Sequence, residues 1–245
     1  MSKNLLIYVM VWYNTAIKGD GMMYRLRVVY GKSKDAMYIS QDDTVKIFTE
    51  AFEKAMMPIV LSQATGKLEI NFAHPLADGY TSTGEIFDMF LNEEVDTRYL
   101  VREVNKTLPA GFIIMSAEYV PATEDDINMR VYGAEYIISL DYSEKFKDKS
   151  LREKDEIRAF YRKKMQMYLS QPQILVIKKS YDRMERLDIK SQIDSFEFNI
   201  DDSINITLSA GPRSNITPAA VMEGFSEYIN EILPYDVKRK KIYYS

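Results

Sequence analysis

One order of elements runs through this chain twice, and it limits the folds available. YRLRVVY (24–30) alternates apolar and polar residues with the period of a strand. A helical stretch follows, in which Val45, Phe48, Phe52 and Met56 recur at three- to four-residue spacing and predict one buried stripe. PIVLSQ (58–63), KLEINFAHPL (67–76) and GEIFDMFL (84–91) read as strands. A second helix is predicted over 96–108, stopped by Pro109, and GFIIMSAEYV (111–120) reads as a closing strand. The order then repeats. AEYIISL (134–140) precedes a helix over 155–170, with Ile157, Phe160, Tyr161, Tyr168 and Leu169 inward. QILVIKK (173–179), SFEFNI (195–200) and SINITLSAG (203–211) read as strands, Pro218 to Ile232 as a helix, and VKRKKIYY (237–244) as a last strand.

Strand, helix, strands, helix, strand, twice over, predicts an α+β protein of two tandem ferredoxin-like (split βαβ) domains, mainly antiparallel, with helices on one face. The expected division is a first domain over 22–121, a linker over 122–133 in the carboxylate-rich PATEDDINMR region, and a second domain over 134–245. Residues 1–21 read as an extension. Their apolar run, Leu5 to Tyr13, is too short for a membrane span of about 20 residues. It matches a signal-peptide core in length but not in its aromatics or its missing cleavage pattern. An extra strand, or a true start at Met22 or Met23, fits better.

Composition narrows the chemistry. The chain has no cysteine, which excludes disulfides and thiolate-held clusters, and one histidine, His74, which excludes a two-histidine metal motif. No metal or cofactor is expected, and a cytoplasmic setting is. A net charge of −4 argues against non-specific nucleic-acid binding by the molecule as a whole, while leaving room for a local basic patch.

The adjacent carboxylates Asp42 and Asp43 read as a helix start. Ser40 caps, Asp43 sits at the third helical position, and both acids lie in the first turn. Ser40 and Asp43 also belong to a larger pattern. The blocks YRLRVVYGK (24–32), YISQDD (38–43), LSQ (61–63), FAHPLADGYTSTGEIFD (72–88) and LPAGF (108–112) resemble, in their order, the radical SAM-linked protein family. SQPQILVIKK (170–179), LDIKSQI (187–193) and LSAGPRSNITP (208–218) resemble its later blocks. Arg25, Arg27, Ser40, Asp43, Ser62, Gln63, Gly84 and Glu85 fall on these blocks. The resemblance implies a partner, a cobalamin-binding-type radical SAM protein encoded beside or fused to such chains. The family usually carries SHLD where this chain has Ser40-Gln41-Asp42-Asp43, and a GFNPHP-like loop where it has Ala64 to Lys67. Both histidine-bearing elements are therefore missing here.

Two places read as anion or RNA sites. In SAGPRSNITP (209–218), Gly211 permits a tight turn, Arg213 supplies a cation, Ser214 and Asn215 are polar, and Thr217 caps a helix beginning at Pro218. A Gly-containing connection with an N-cap accounts for the same residues. Lys238, Arg239, Lys240 and Lys241, with Tyr243 and Tyr244, form a basic and aromatic run suited to phosphates and bases. The same run also reads as a lysine-guarded edge strand. Arg158, Arg162 and Lys163 read as a solvated helix face. Glu85 and Asp88, three apart on a strand, should face opposite ways and form no acid–base pair. His74 reads as a strand-end residue rather than a general base.

The function expected from these readings is a non-catalytic accessory module of a radical SAM enzyme system, acting on RNA or a ribosomal component. The alternatives are a metal-independent RNA-processing enzyme of the paired ferredoxin-like kind, and a degenerate interaction protein.

Overall fold

A computed structural model describes residues 23–180, 183–212 and 214–245. The expected extension, residues 1–21, and Arg213 lie outside the described residues. The first half holds β1 (Tyr24–Lys32), α1 (Gln41–Lys54), β2 (Asn71–Phe72), β3 (Thr81–Leu91), α2 (Thr97–Asn105) and β4 (Phe112–Val120). A short helix, α3 (Ile127–Arg130), leads into β5 (Val131–Leu140) and α4 (Leu151–Leu169). Next come β6 (Leu175–Ser180), β7 (Arg183–Asp188), β8 (Ile193–Phe198), β9 (Ile204–Ser209), α5 (Pro218–Ile229) and β10 (Tyr235–Tyr244).

The protein is a mixed α+β fold with a mostly antiparallel sheet. Among the described residues, eight strands share that sheet in the order β4-β1-β3-β10-β5-β9-β8, with β2 on β3. The one parallel pairing described joins β3 to β10, Thr81 opposite Lys238 and Ser82 opposite Arg239. The sheet therefore runs unbroken through both halves. β6 and β7 form a separate hairpin.

Alternation along the strands gives each half its own core. Leu26 and Val28 of β1 and Phe87, Met89 and Leu91 of β3 are buried under Phe48 and Phe52 of α1 and Leu100 and Val104 of α2. The Phe48 and Phe87 rings meet edge to face, centroids 5.0 Å apart. In the second half, Tyr136, Ile138, Ile206, Leu208 and Val237 pack against Tyr161, Met165 and Leu169 of α4 and Val221 and Phe225 of α5.

Gly84 lets the halves meet. A Cβ there would lie 2.3 Å from the carbonyl oxygen of Lys240, so only glycine admits β10 alongside β3. Beside it, the Ser82 hydroxyl donates to the Arg239 carbonyl at 3.0 Å.

Several expectations are corrected. Met56 is not in the α1 stripe: it adopts a left-handed φ of 54° just past the helix and is exposed, which turns Met57 inward instead. PIVLSQ makes only the isolated bridges Ile59–Leu91 and Leu61–Leu68, and KLEINFAHPL shortens to Asn71–Phe72. Phe160 is half exposed, because α4 points Tyr161 and Met165 at the sheet. The last helix stops at Ile229, where Asn230 takes a left-handed φ of 54°. The second strand of the β6–β7 hairpin was not expected. Finally, β10 is no edge strand, since it lies between β3 and β5.

Candidate functional site

Most of the charged residues marked in the sequence turn out to hold the fold together. Arg25 and Arg27 alternate onto the face of β1 away from α1 and are buried there. Arg25 Nη2 meets Asp88 Oδ2 at 2.8 Å and Arg27 Nε meets Asp88 Oδ1 at 2.8 Å. Glu124 reaches back from the segment before α3 to accept from Arg27 Nη2 at 2.8 Å, and Arg130 Nη1 stands 2.6 Å from the same oxygen. Burial alone would raise the Glu124 carboxyl, but Arg130 and Arg27 outweigh it and hold the group below the usual carboxylate range. The Tyr244 ring lies under both guanidinium groups, 5.0 Å from Arg27 and 5.7 Å from Arg130.

Glu85 does face away from Asp88, toward the other side of the sheet, where it grips Arg239. Arg239 Nε donates to Glu85 Oε1 at 2.7 Å, Nη2 donates to Glu85 Oε2, and two further guanidinium hydrogens go to the carbonyls of Pro75 and His74 at 3.0 and 2.8 Å. Arg239 is 1 % exposed. It is thus corrected from an RNA contact to an internal tie between β10 and the first half. Burial would lower its pKa, but the Glu85 charge overrides that and raises it.

Ser40 and Asp43 are the helix start the sequence predicts. The Ser40 hydroxyl accepts from the Asp43 N–H at 3.1 Å and donates to its carboxylate at 2.8 Å. Hydrogen bonds from Lys46 and Ser40, with the Lys46 charge, lower the Asp43 carboxyl. Ser62 and Gln63 lie in a surface turn, closed by Gly66 N–H to the Ser62 carbonyl at 2.8 Å.

The loop before α5 behaves as a turn and cap. Gly211 has φ +101°, and a Cβ there would meet the Val131 carbonyl at 2.1 Å. Thr217 accepts from the Ala220 N–H at 3.2 Å with Pro218 at the first helical position, and the Ser214 hydroxyl donates to Gln192 at 2.7 Å. His74 and Gly211 line the same cleft. The two loops the sequence marks separately, around His74 and around Gly211, therefore meet.

Between them lies a cleft of about 390 Å³, its walls including Phe72, His74 and Pro75 from the first half and Asn128, Gly211 and Pro212 from the second. Gln41, at the start of α1, stands at its side. Behind His74 a chamber of about 30 Å³ holds the buried Lys32, whose Nζ donates to the Ile39 carbonyl at 2.6 Å. That is room for a water-sized group. Burial lowers the Lys32 pKa, against the opposing pull of Glu85 and Asp78. Burial, then the Arg239 charge, lowers that of His74, so its imidazole is neutral at pH 7.

The basic run gives up only part of its charge to solvent. Lys240 pairs with Glu135 at 2.7 Å, and the Tyr243 hydroxyl donates to the same carboxylate at 3.0 Å. Lys241 stands 5.0 Å from the Tyr243 ring centroid. In register Lys241 and Tyr243 share a face with Gly133 and Glu135, opposite the face that α4 and α5 cover. Tyr132, which sequence reading missed, stacks on Tyr243 with centroids 6.2 Å apart and is 59 % exposed. The pattern hides it: Tyr132 is the extra residue of a bulge between Gly133 opposite Tyr243 and Val131 opposite Tyr244, so it leaves the alternation. Lys238, half-buried, sits opposite Ile137 further along the strand.

A wider groove of about 1180 Å³ runs beside α5, lined by Ile177, Leu187, Met222 and Ile232 together with Glu223, Glu227 and Glu231. Its carboxylates suit neither phosphate nor any other anion. Among the described residues, no group of three or more His, Asp or Glu side chains is placed to hold a metal ion, and no helix is long and apolar enough to cross a membrane.

A family model described as "Uncharacterized protein conserved in bacteria (DUF2344)" matches residues 25–218. No curated protein matches the chain. Among solved structures, the chain is similar to a "putative glycine cleavage system transcriptional repressor", at 12 % identity over 91 % of this chain and 99 % of that one, with a TM-score of 0.23. It is also similar to a heavy metal efflux pump, at 12 % identity over 96 % of this chain and 30 % of that one, with a TM-score of 0.20. At those scores neither likeness bears on fold or activity.

Proposed function

The chain belongs to this family of uncharacterized proteins conserved in bacteria, and within it we propose a non-catalytic accessory module that presents single-stranded RNA to a radical SAM enzyme. The carrying observation is the Tyr132–Tyr243 stack with Lys241 against it, on the sheet face opposite the one that α4 and α5, among the described residues, cover. Aromatic rings on an open sheet offer flat surfaces to bases of any sequence, and lysines beside them meet the phosphates. Lys238 extends the positive stripe along β10, while the charge of Lys240 is balanced by Glu135.

Each half has the strand order of a split βαβ unit: last, first, third, second. In the first half that is β4-β1-β3 with β2 on β3, and in the second β10-β5-β9-β8. The module is two ferredoxin-like lobes in tandem, with the β6–β7 hairpin inserted in the second.

The non-catalytic part of the reading rests on the strongest acids and bases being committed to one another. Asp88 is held by two arginines and Glu85 by a third, which leaves them unable to move protons. The radical SAM partner rests on the ordered blocks that resemble the radical SAM-linked family.

The test is equilibrium binding of the full chain to a labelled single-stranded oligoribonucleotide across a salt series. Two phosphate contacts, from Lys238 and Lys241, correspond to a slope of log K against log salt of about −1.4. Tyr243→Ala should weaken binding by about 1–3 kcal/mol, and the RNA should be recovered uncut. Absence of binding at low salt removes the RNA half of the proposal. Failure of the full chain to co-purify with a radical SAM protein encoded beside it removes the other half.

A further inference from the structure

Helix α5 carries charges that the chain itself does not offset. Glu223 and Glu227 stand four residues apart on its exposed side, and like charges at that spacing oppose a helix. Glu227 also lies in the last turn, where the helix dipole is already negative and no basic residue is present. Glu231, just past the end, is taken up by Lys145 and the Tyr161 hydroxyl. Among the described residues, no cation pairs with Glu223 or Glu227.

Both carboxylates border the groove of about 1180 Å³ between α5 and the β6–β7 hairpin. Val176 and Leu187, opposite each other in register, form the hairpin wall. A Cβ on Gly224 would come 3.0 Å from Val176, so that wall closes directly on α5. Arg186 is paired with Ile177 and therefore faces the other side of the hairpin. Ala219, Ala220 and Ser226 keep the α5 side of the groove low. Past the C-terminal end of α5, Ile232 is 86 % exposed. The result is an apolar trough with a negative border, as long as the twelve residues of α5, or about 18 Å.

We propose that this groove docks an amphipathic helix of a partner protein, with its apolar stripe in the trough and Lys or Arg on the flank that meets Glu223 and Glu227. Charge complementarity decides the occupant. The border repels acidic segments, whereas a cation there relieves both the repulsion between the two carboxylates and their conflict with the helix dipole. Grooves of this kind take helices through apolar anchors at three- and four-residue spacing. The inference is independent of the RNA reading, because α5 covers the sheet face opposite the Tyr132–Tyr243 stack.

The experiment titrates the full chain against a labelled 18-residue peptide of leucine and lysine, with the leucines at i, i+3, i+4 and i+7, and against a scrambled peptide of the same composition. The patterned peptide should bind at least about tenfold tighter, the worth of one buried leucine side chain. The double variant Glu223→Gln, Glu227→Gln should weaken it by about threefold to tenfold, as expected for two exposed ion pairs. The same variant should melt no lower than the unaltered protein, since the carboxylates it removes oppose the helix. Equal binding of the two peptides, or full affinity in the double variant, overturns the proposal. So does a lower melting temperature in that variant, which would assign the carboxylates to the fold. If the full chain binds neither peptide, sedimentation decides what fills the groove. A dimer that Leu187→Asn dissociates gives it to a second copy, and a monomer leaves it to the chain itself; either result overturns the proposal.

Discussion

Arg239 and Glu85 form a bidentate ion pair across the only parallel pairing described in the sheet, with Arg239 Nε 2.7 Å from Glu85 Oε1. Both are almost wholly buried, at 1 % and 2 % exposure, and they belong to different halves of the chain. Removing one partner strands a charge in the interior, which costs about 3–5 kcal/mol. Arg239→Met should therefore destabilise strongly in denaturant titration. Adding Glu85→Leu should recover part of the loss, because no unpaired charge remains. A double variant worse than the single one would show that the pair does more than fasten the halves.

Gly84 is the steric counterpart of that pair. Gly84→Ala sets a Cβ 2.3 Å from a backbone carbonyl that cannot rotate away, so β10 must withdraw from β3. The expected result is faster amide exchange in Thr81–Ser82 and Lys238–Arg239, with the helix-covered cores unchanged. Gly66→Ala is the control: a Cβ there meets nothing within 4 Å, which leaves only the strain of its positive φ, about 1 kcal/mol.

His74 gives the protein a pH response that a single residue can report. It is the chain's one histidine, and its folded pKa lies below the ordinary 6.5. Above 6.5 both folded and unfolded chains hold it neutral, and its contribution to stability is complete. As pH falls through 6.5 the unfolded chain takes up a proton that the folded chain resists, so stability declines until the depressed folded value is passed. His74→Gln should remove the part of the melting-temperature decline that begins near pH 6.5. The same decline in the variant would assign it to carboxylates instead.

Ser40→Ala tests the helix start. Loss of the cap on the Asp43 N–H should cost about 1 kcal/mol and leave RNA binding untouched. A larger loss of binding than of stability would reopen a ligand role for Ser40, Asp42 and Asp43.

These outcomes separate what local pattern reveals from what it hides. The helices, their caps at Ser40 and Thr217, and most long strands follow from spacing and capping chemistry that act within a few residues. The role of the charged residues does not. Arg239 reads as one member of a basic run until β10 is known to lie inside the sheet, opposite a carboxylate 154 positions earlier. Tyr132 is hidden by a bulge, which breaks the alternation that would have classified it. The cleft is hidden for a third reason. Its walls come from segments around residues 72 and 211, which come together only in the folded chain.

Ultraviolet cross-linking of the full chain to a uridine-rich single strand, with the adducts located by peptide mass spectrometry, tests the account at its centre. Adducts on the peptides that carry Tyr132 and Tyr243 are predicted, lost in the Tyr132→Ala, Tyr243→Ala double variant. Adducts confined to other surfaces, or unchanged in that variant, would contradict it.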